Sequence, residues 1–260
     1  VPYDRFHLFF FGLSILSGIL LCKFKKDAGE GFVRKLLLAA SVMVILLEIY
    51  KQINFSFTYE NGQILFDYQW YAFPFQFCST PMYIGLAAAL VKNERIHHSL
   101  CSYLGTYSLF AGLCVMFYPV SVFVGTVGIN IQTMICHGSM VTIGMYLLAT
   151  GYVKAETGTI RKALPVFLTL LLMATAMNEL AHQTGLLETE TFNMFFISPY
   201  CAPELPVYSM VQQELAFPLS LGVYVLAFTT AGGLLLQLTG FSKKEAKLVR
   251  RTLRRAYASC

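Results

Sequence analysis

The stretch LLLAASVMVILLEIYKQI, Leu36–Ile53, decides the fold class. It stays apolar until Glu48, then takes up Lys51 and Gln52 within one turn. About twenty such residues, wound as a helix, cross roughly 30 Å of hydrocarbon. The three polar residues stand at i, i+3 and i+4, so they share one helical face. Runs of the same kind are read at 6–22, 33–53, 71–92, 99–118, 129–152, 163–183 and 214–237.

Composition agrees with this reading. Of 260 residues, 56% are hydrophobic and 13% charged, against roughly a quarter charged in an ordinary soluble domain. The expectation is an all-α polytopic membrane protein: a bundle of seven transmembrane helices over 1–240 and a basic tail over 241–260. A removable signal peptide is not expected, because Lys23, Lys25 and Lys26 follow the first apolar run instead of preceding it. The net charge of +5 does not indicate nucleic acid, since the basic residues fall in inter-helix loops and the tail. No glycine-rich phosphate loop or nucleic-acid module is present. The seven cysteines show neither CxxC nor metal-ligand spacing, and only Cys201 falls in an expected external loop, so no disulfide framework is implied.

The Lys/Arg bias of short loops sets the orientation. Lys23, Lys25, Lys26, Arg34 and Lys35 lie in the first loop, Lys92 and Arg95 in the third, and Lys154, Arg161 and Lys162 in the fifth. The alternate loops, 54–70, 119–128 and 183–213, hold no Lys or Arg. The expected arrangement has the N-terminus outside and the C-terminus in the cytoplasm. The tail, Phe241–Tyr257, alternates basic residues with Ala, Leu and Val at helical spacing. It is expected to set topology or to lie along anionic lipid.

With that threading, Glu48, Lys51, Gln52, Gln76, Cys78, Gln132, His137, Asn178, Glu179 and His182 come from four stretches and fall in one outer half of the membrane. Intramembrane polar groups are costly and mark a functional site by default. Cys78 sits in FPFQFCSTP, residues 73–81, near an expected helix start where a thiol pKa is lowered. Pro81 removes a backbone donor and can free the Phe77 carbonyl. His137 is the one histidine well inside an expected span, about level with Cys78, each roughly eight residues into its helix and so about 12 Å deep. A buried cysteine is otherwise a small hydrophobe, and a buried histidine otherwise a hydrogen-bonded structural residue. Glu48 with Lys51 is either an ion pair that sets packing or a holder of a lipid phosphate or substrate carboxylate. Asn178, Glu179 or Gln132 could orient His137. His137, His182, Glu48 and Glu179 could instead bind a metal, but no H-E-x-x-H-type spacing supports one, and no cofactor is expected. The loop 183–213, with Asn193 and Pro199, is either a lid or an interfacial plug.

These features resemble the YwaF-like family of bacterial integral membrane proteins, with a more distant likeness to the human seven-span transmembrane acyltransferase that acts on ether phospholipids. The likeness covers most of the chain. It rests on the order of Glu48-x-x-Lys51, Pro74-Phe-Gln-Phe-Cys78 (similar to P-x-H-x-C), the apolar helix with His137, Asn193-Met-Phe-Phe, Ser198-Pro199, and Leu205-Pro-Val-Tyr208. Gln76 stands where bacterial relatives often have histidine, and a glutamine cannot titrate. The resemblance implies an acyl-carrying Cys78 assisted by His137, with membrane lipids as partners, in a bacterial plasma membrane. The expected function is therefore lipid acyl transfer or acyl hydrolysis through Cys78 and His137. Asn178, Glu179, Gln132 and Gln76 would support the pair, and Glu48, Lys51, Gln52 and His182 would hold a headgroup. Two rivals use the same cluster: a small-solute transporter or channel, and a non-catalytic subunit that binds lipid or a partner. The absence of an internal repeat weakens the first.

Overall fold

The computed structural model describes residues 2–202 and 205–258, without side chains at 206 and 241–258. The helices are α1 Arg5–Lys25, α2 Glu30–Asn54, α3 Thr80–Leu90, α4 Glu94–Phe117, α5 Val127–Thr150, α6 Thr157–Gln183, α7 Pro206–Glu214 and α8 Phe217–Ala258. Five of them are long and apolar enough to cross a membrane: α1, α4, α5, α6 and the Phe217–Gly240 part of α8. α2 is 25 residues long, with Glu48 near its C-terminal end. The expected amphipathic placement of the tail side chains, 241–260, lies outside the described residues; the backbone of α8 runs into the tail without a break.

The third expected span, 71–92, is corrected. Only the 11 residues Thr80–Leu90 are helical. Ahead of them come a short 3-10 turn, Trp70–Ala72, and irregular backbone through Ser79. Pro81 is the cause. It sits in the first turn of α3, where its missing N–H costs nothing, and its ring forbids helix on the N-terminal side. The freed Phe77 carbonyl is taken by the Thr80 hydroxyl at 2.9 Å. Cys78 therefore lies on a turn two residues before α3, not eight residues inside a helix.

The loop 54–70 also holds structure. β1, Phe57–Glu60, pairs antiparallel with β2, Gln63–Phe66, in the register Phe57↔Phe66 to Glu60↔Gln63. The turn is Asn61-Gly62, both at positive φ, +50° and +83°, as a two-residue hairpin of matching twist requires.

Close helix approach is bought by small residues. A Cβ on Gly144 of α5 would stand 2.5 Å from the Leu109 Cβ of α4, and one on Gly138 would strike Ser14 of α1. Beside the Leu109 contact, α4 contains one π-helical segment, Leu104–Ser108. The core is aromatic: Tyr107 stacks on Phe167 at 4.5 Å and on Tyr103 at 5.9 Å, and Phe167 stacks on Tyr224 at 6.3 Å. The segment 192–198 folds into the same core, with Phe195 fully buried and 5.2 Å from Phe77.

Candidate functional site

Neighbouring helices run in alternate directions, so the end of α2, the turn before α3, the start of α5 and the end of α6 meet at one end of the bundle. Hydrogen bonds join them. Glu48 is 4% exposed. Its Oε1 accepts from Lys51 Nζ and from Gln52 Nε2, each at 2.8 Å, and its Oε2 accepts from Gln132 Nε2 at 3.0 Å. Gln52 also donates to the Ala72 carbonyl at 2.8 Å and accepts from the Tyr68 hydroxyl at 2.6 Å. Burial and the Glu48 carboxylate push the Tyr68 phenol up, so it stays a donor.

The carboxylate is thus well satisfied while the ammonium is not. Lys51 carries three donors, and among the described residues its partner is Glu48 alone. Its charge reaches both Cys78 and His137.

His137 is 4% exposed. Its Nδ1 lies 2.8 Å from the Thr133 carbonyl one turn back. A carbonyl only accepts, so Nδ1 carries the proton and Nε2 keeps a bare lone pair. That Nε2 is buried without a hydrogen-bond partner. The orienting group is Thr133 O; none of Asn178, Glu179 or Gln132 bonds the imidazole. Cys78 makes no hydrogen bond to it either. The Cys78 carbonyl accepts from the Cys136 thiol at 3.5 Å, which seats the turn on α5.

The remaining expected residues hold the segment 192–200. Asn178 donates to Met194 O at 3.0 Å and accepts from Met194 N at 2.7 Å. Gln76 donates to Asn193 O at 3.0 Å and accepts from Phe195 N at 3.1 Å. Asn193 accepts from Ser198 N at 2.9 Å, just ahead of the exposed Pro199. Phe195 and Phe196 are both at positive φ, +60° and +58°, a strained conformation for large side chains. Glu179 and His182 are exposed. Glu179 accepts from the Tyr200 hydroxyl at 2.6 Å, which pushes the Tyr200 phenol up, and His182 stacks on Tyr200 at 3.7 Å. These two clamp the segment at Tyr200 and stand apart from the buried Glu48 network.

Two hollows flank the α2–α3 seam. One of about 20 Å³, room for a water, is bordered by Ser41, Cys78, Ser108, Cys136 and Ser139. The other, about 430 Å³, is an apolar groove between Ile45, Ile49 and Ile53 of α2 and Met82, Tyr83 and Leu86 of α3, with Glu48 and Gln52 on its wall. Among the described residues no group of three His, Cys, Asp or Glu could hold a metal.

With this geometry in place, comparison with known proteins gives one match: the TMEM164 family model covers residues 3–253. The chain belongs to the TMEM164 family. No curated protein and no solved structure matches it. The TMEM164 match spans nearly the whole chain and makes it a member of a transmembrane family, so the polar end just described lies within a membrane protein.

Sequence reasoning missed Tyr68, Thr133 and the role of Arg34, and took Ser108 only as a hint of an inward path. Arg34 lies toward the opposite end of the bundle, where it donates to the last carbonyls of α3, Ala88 and Ala89 at 3.2 Å and Val91 at 2.6 Å. Only Arg34 carried a usable signal: a cation placed to meet the C-terminal end of a short helix.

Proposed function

We propose that this protein transfers or hydrolyses the acyl groups of membrane lipids through Cys78, with His137 as the base. The observation that carries the reading is the His137 ring, whose Nδ1 proton is committed to Thr133 and whose buried Nε2 has no partner. A base needs that tautomer. Nε2 would take the thiol proton. The sulfur would form a bond to the ester carbonyl carbon, and the carbon–oxygen bond would break. The leaving alkoxide would recover the proton from His137. An acceptor hydroxyl, or water, would then attack the thioester and return the sulfur to the thiol. Catalytic hydrogen bonds absent from a resting site commonly form with substrate bound.

Three further features support the reading. Lys51 has spare donors for a headgroup phosphate or a developing oxyanion. The groove of about 430 Å³ offers apolar walls for an acyl chain beside Glu48. The resemblance to YwaF-like proteins and to the ether-phospholipid acyltransferase supplies the acyl chemistry. The same proposal takes the chain as seven spans with the N-terminus outside, in a bacterial plasma membrane, as the loop charges and that resemblance suggest.

The test is acylation of purified protein in mixed phospholipid vesicles, read by mass spectrometry of the Cys78 peptide. Wild type should carry an acyl group on Cys78, Cys78→Ala none, and His137→Asn at least tenfold less. An unmodified Cys78 peptide, with lipid turnover unchanged in Cys78→Ala, removes the proposal.

A further inference from the structure

In this chain several helical hydroxyls return to the carbonyl four residues back. Ser102 donates to His98 O at 2.7 Å, Thr106 to Ser102 O at 2.6 Å and Ser14 to Phe10 O at 2.7 Å. Ser108 does not. It is 1% exposed, and its Oγ has no partner. Ser108 closes the π-helical segment Leu104–Ser108, and unlike Thr106 in the same segment it makes no bond to the carbonyl four residues back. A buried hydroxyl left unpaired is costly, so a ligand is expected on it.

Ser108 borders the small hollow that Cys78 also borders. The space is about 20 Å³, enough for a water. Ser139, on the same wall, has its proton on Cys136 O at 2.7 Å, and Cys136 has its own on Cys78 O. Ser108 keeps a free proton and two lone pairs.

We infer that Ser108 holds a single water against Cys78, which makes it a positioning residue for that thiol. The water donates to the sulfur when the thiol loses its proton, and Ser108 fixes the water. The inference deepens the acyl-transfer reading and rests on Cys78 as its reactive group. Besides His137, the base of the proposed reaction, the titratable groups around Cys78 are Glu48 and Lys51 on α2, Tyr103 on α4 and Cys136 on α5, and none of them takes the Ser108 hydroxyl.

Valine and threonine have the same shape, and only threonine carries a hydroxyl. Full-length Ser108→Val and Ser108→Thr are treated with methyl methanethiosulfonate, a small uncharged reagent. Thiolate attack forms a methyl disulfide and expels methanesulfinate. Modification of the Cys78 peptide is followed against pH by mass spectrometry. Ser108→Val should react about tenfold more slowly than wild type, its profile moved to higher pH, since a water-relayed bond to a charged sulfur is lost. Ser108→Thr should stay near wild type. Should Ser108→Val not fold, Ser108→Ala deletes the hydroxyl without added volume and is compared with the same threonine variant. Equal profiles for the hydroxyl and non-hydroxyl variants overturn the inference, as does a wild-type Cys78 that never reacts. Acyl-Cys78 is measured on the same preparations. Its absence alongside an intact valine–threonine difference sinks the acyl-transfer reading and leaves the water site standing.

Discussion

Glu48 and Gln132, 84 positions apart in the chain, meet at 3.0 Å in the interior. That bond ties α2 to α5 and completes the set of donors around a buried carboxylate. It also explains how a charge is tolerated there: Glu48 is neutralised by Lys51 and bonded by two amides.

Removing one member of such a pair strands the other. Glu48→Ala should cost about 3–5 kcal/mol, read as loss of thermal stability in detergent. Gln132→Ala should cost about 1–3 kcal/mol, since one carboxylate oxygen loses its donor. Replacing both Glu48 and Lys51 with leucine should recover most of the stability lost by Glu48→Ala. A double variant no more stable than the single one would show that the pair contributes net stability instead of merely cancelling its own burial.

The segment 192–198 is held by amides, not by its own regular structure. Asn178→Ala leaves Met194 N unpaired in the interior and Met194 O with only the long bond from Ile197 N at 3.5 Å. Amide exchange at 193–198 should rise at least tenfold, while α5 and the hairpin keep their protection. Gln76→Ala should act in the same direction through Asn193 and Phe195. Unchanged exchange in both variants would mean that Phe195 packing alone fixes the segment.

Glycines in the helices divide by what surrounds them. Gly144→Ala pushes a methyl against Leu109 and should destabilise by about 1–3 kcal/mol. Gly12 in α1 has nothing within 4 Å of its added Cβ, so Gly12→Ala should be neutral or stabilise by up to about 1 kcal/mol. Thermal unfolding of the two variants side by side decides this; equal shifts would mean that α4 and α5 do not pack through Gly144.

How much of this was legible in the sequence follows from what each signal encodes. Apolar runs encode length, and length was enough to identify a membrane protein. Glu48, Lys51 and Gln52 read correctly as one face because a helix fixes that spacing. The convergence of Gln132 and Asn178 on the same end follows from alternating helix direction. The stretch 73–79 was misread because hydrophobicity does not separate helix from buried irregular backbone; Pro74 and Pro81 held the needed information. The hairpin was equally readable, since Asn61-Gly62 between apolar alternation is a strong two-residue turn signal. The orientation of His137 by Thr133 O could not be read, because a backbone carbonyl accepts whatever the side chain is. Nor does LGTYS, Leu104–Ser108, announce a π-helical segment in its composition.

That segment has a bearing on every alignment through α4. Five residues share what four would normally fill, so the helix changes angular frame between Leu104 and Leu109. Tyr103 stands before this offset and Gly112 after it, so their relative register differs from that of a plain α-helix. A relative with a plain α-helix here would bring the same two positions into register with one residue fewer.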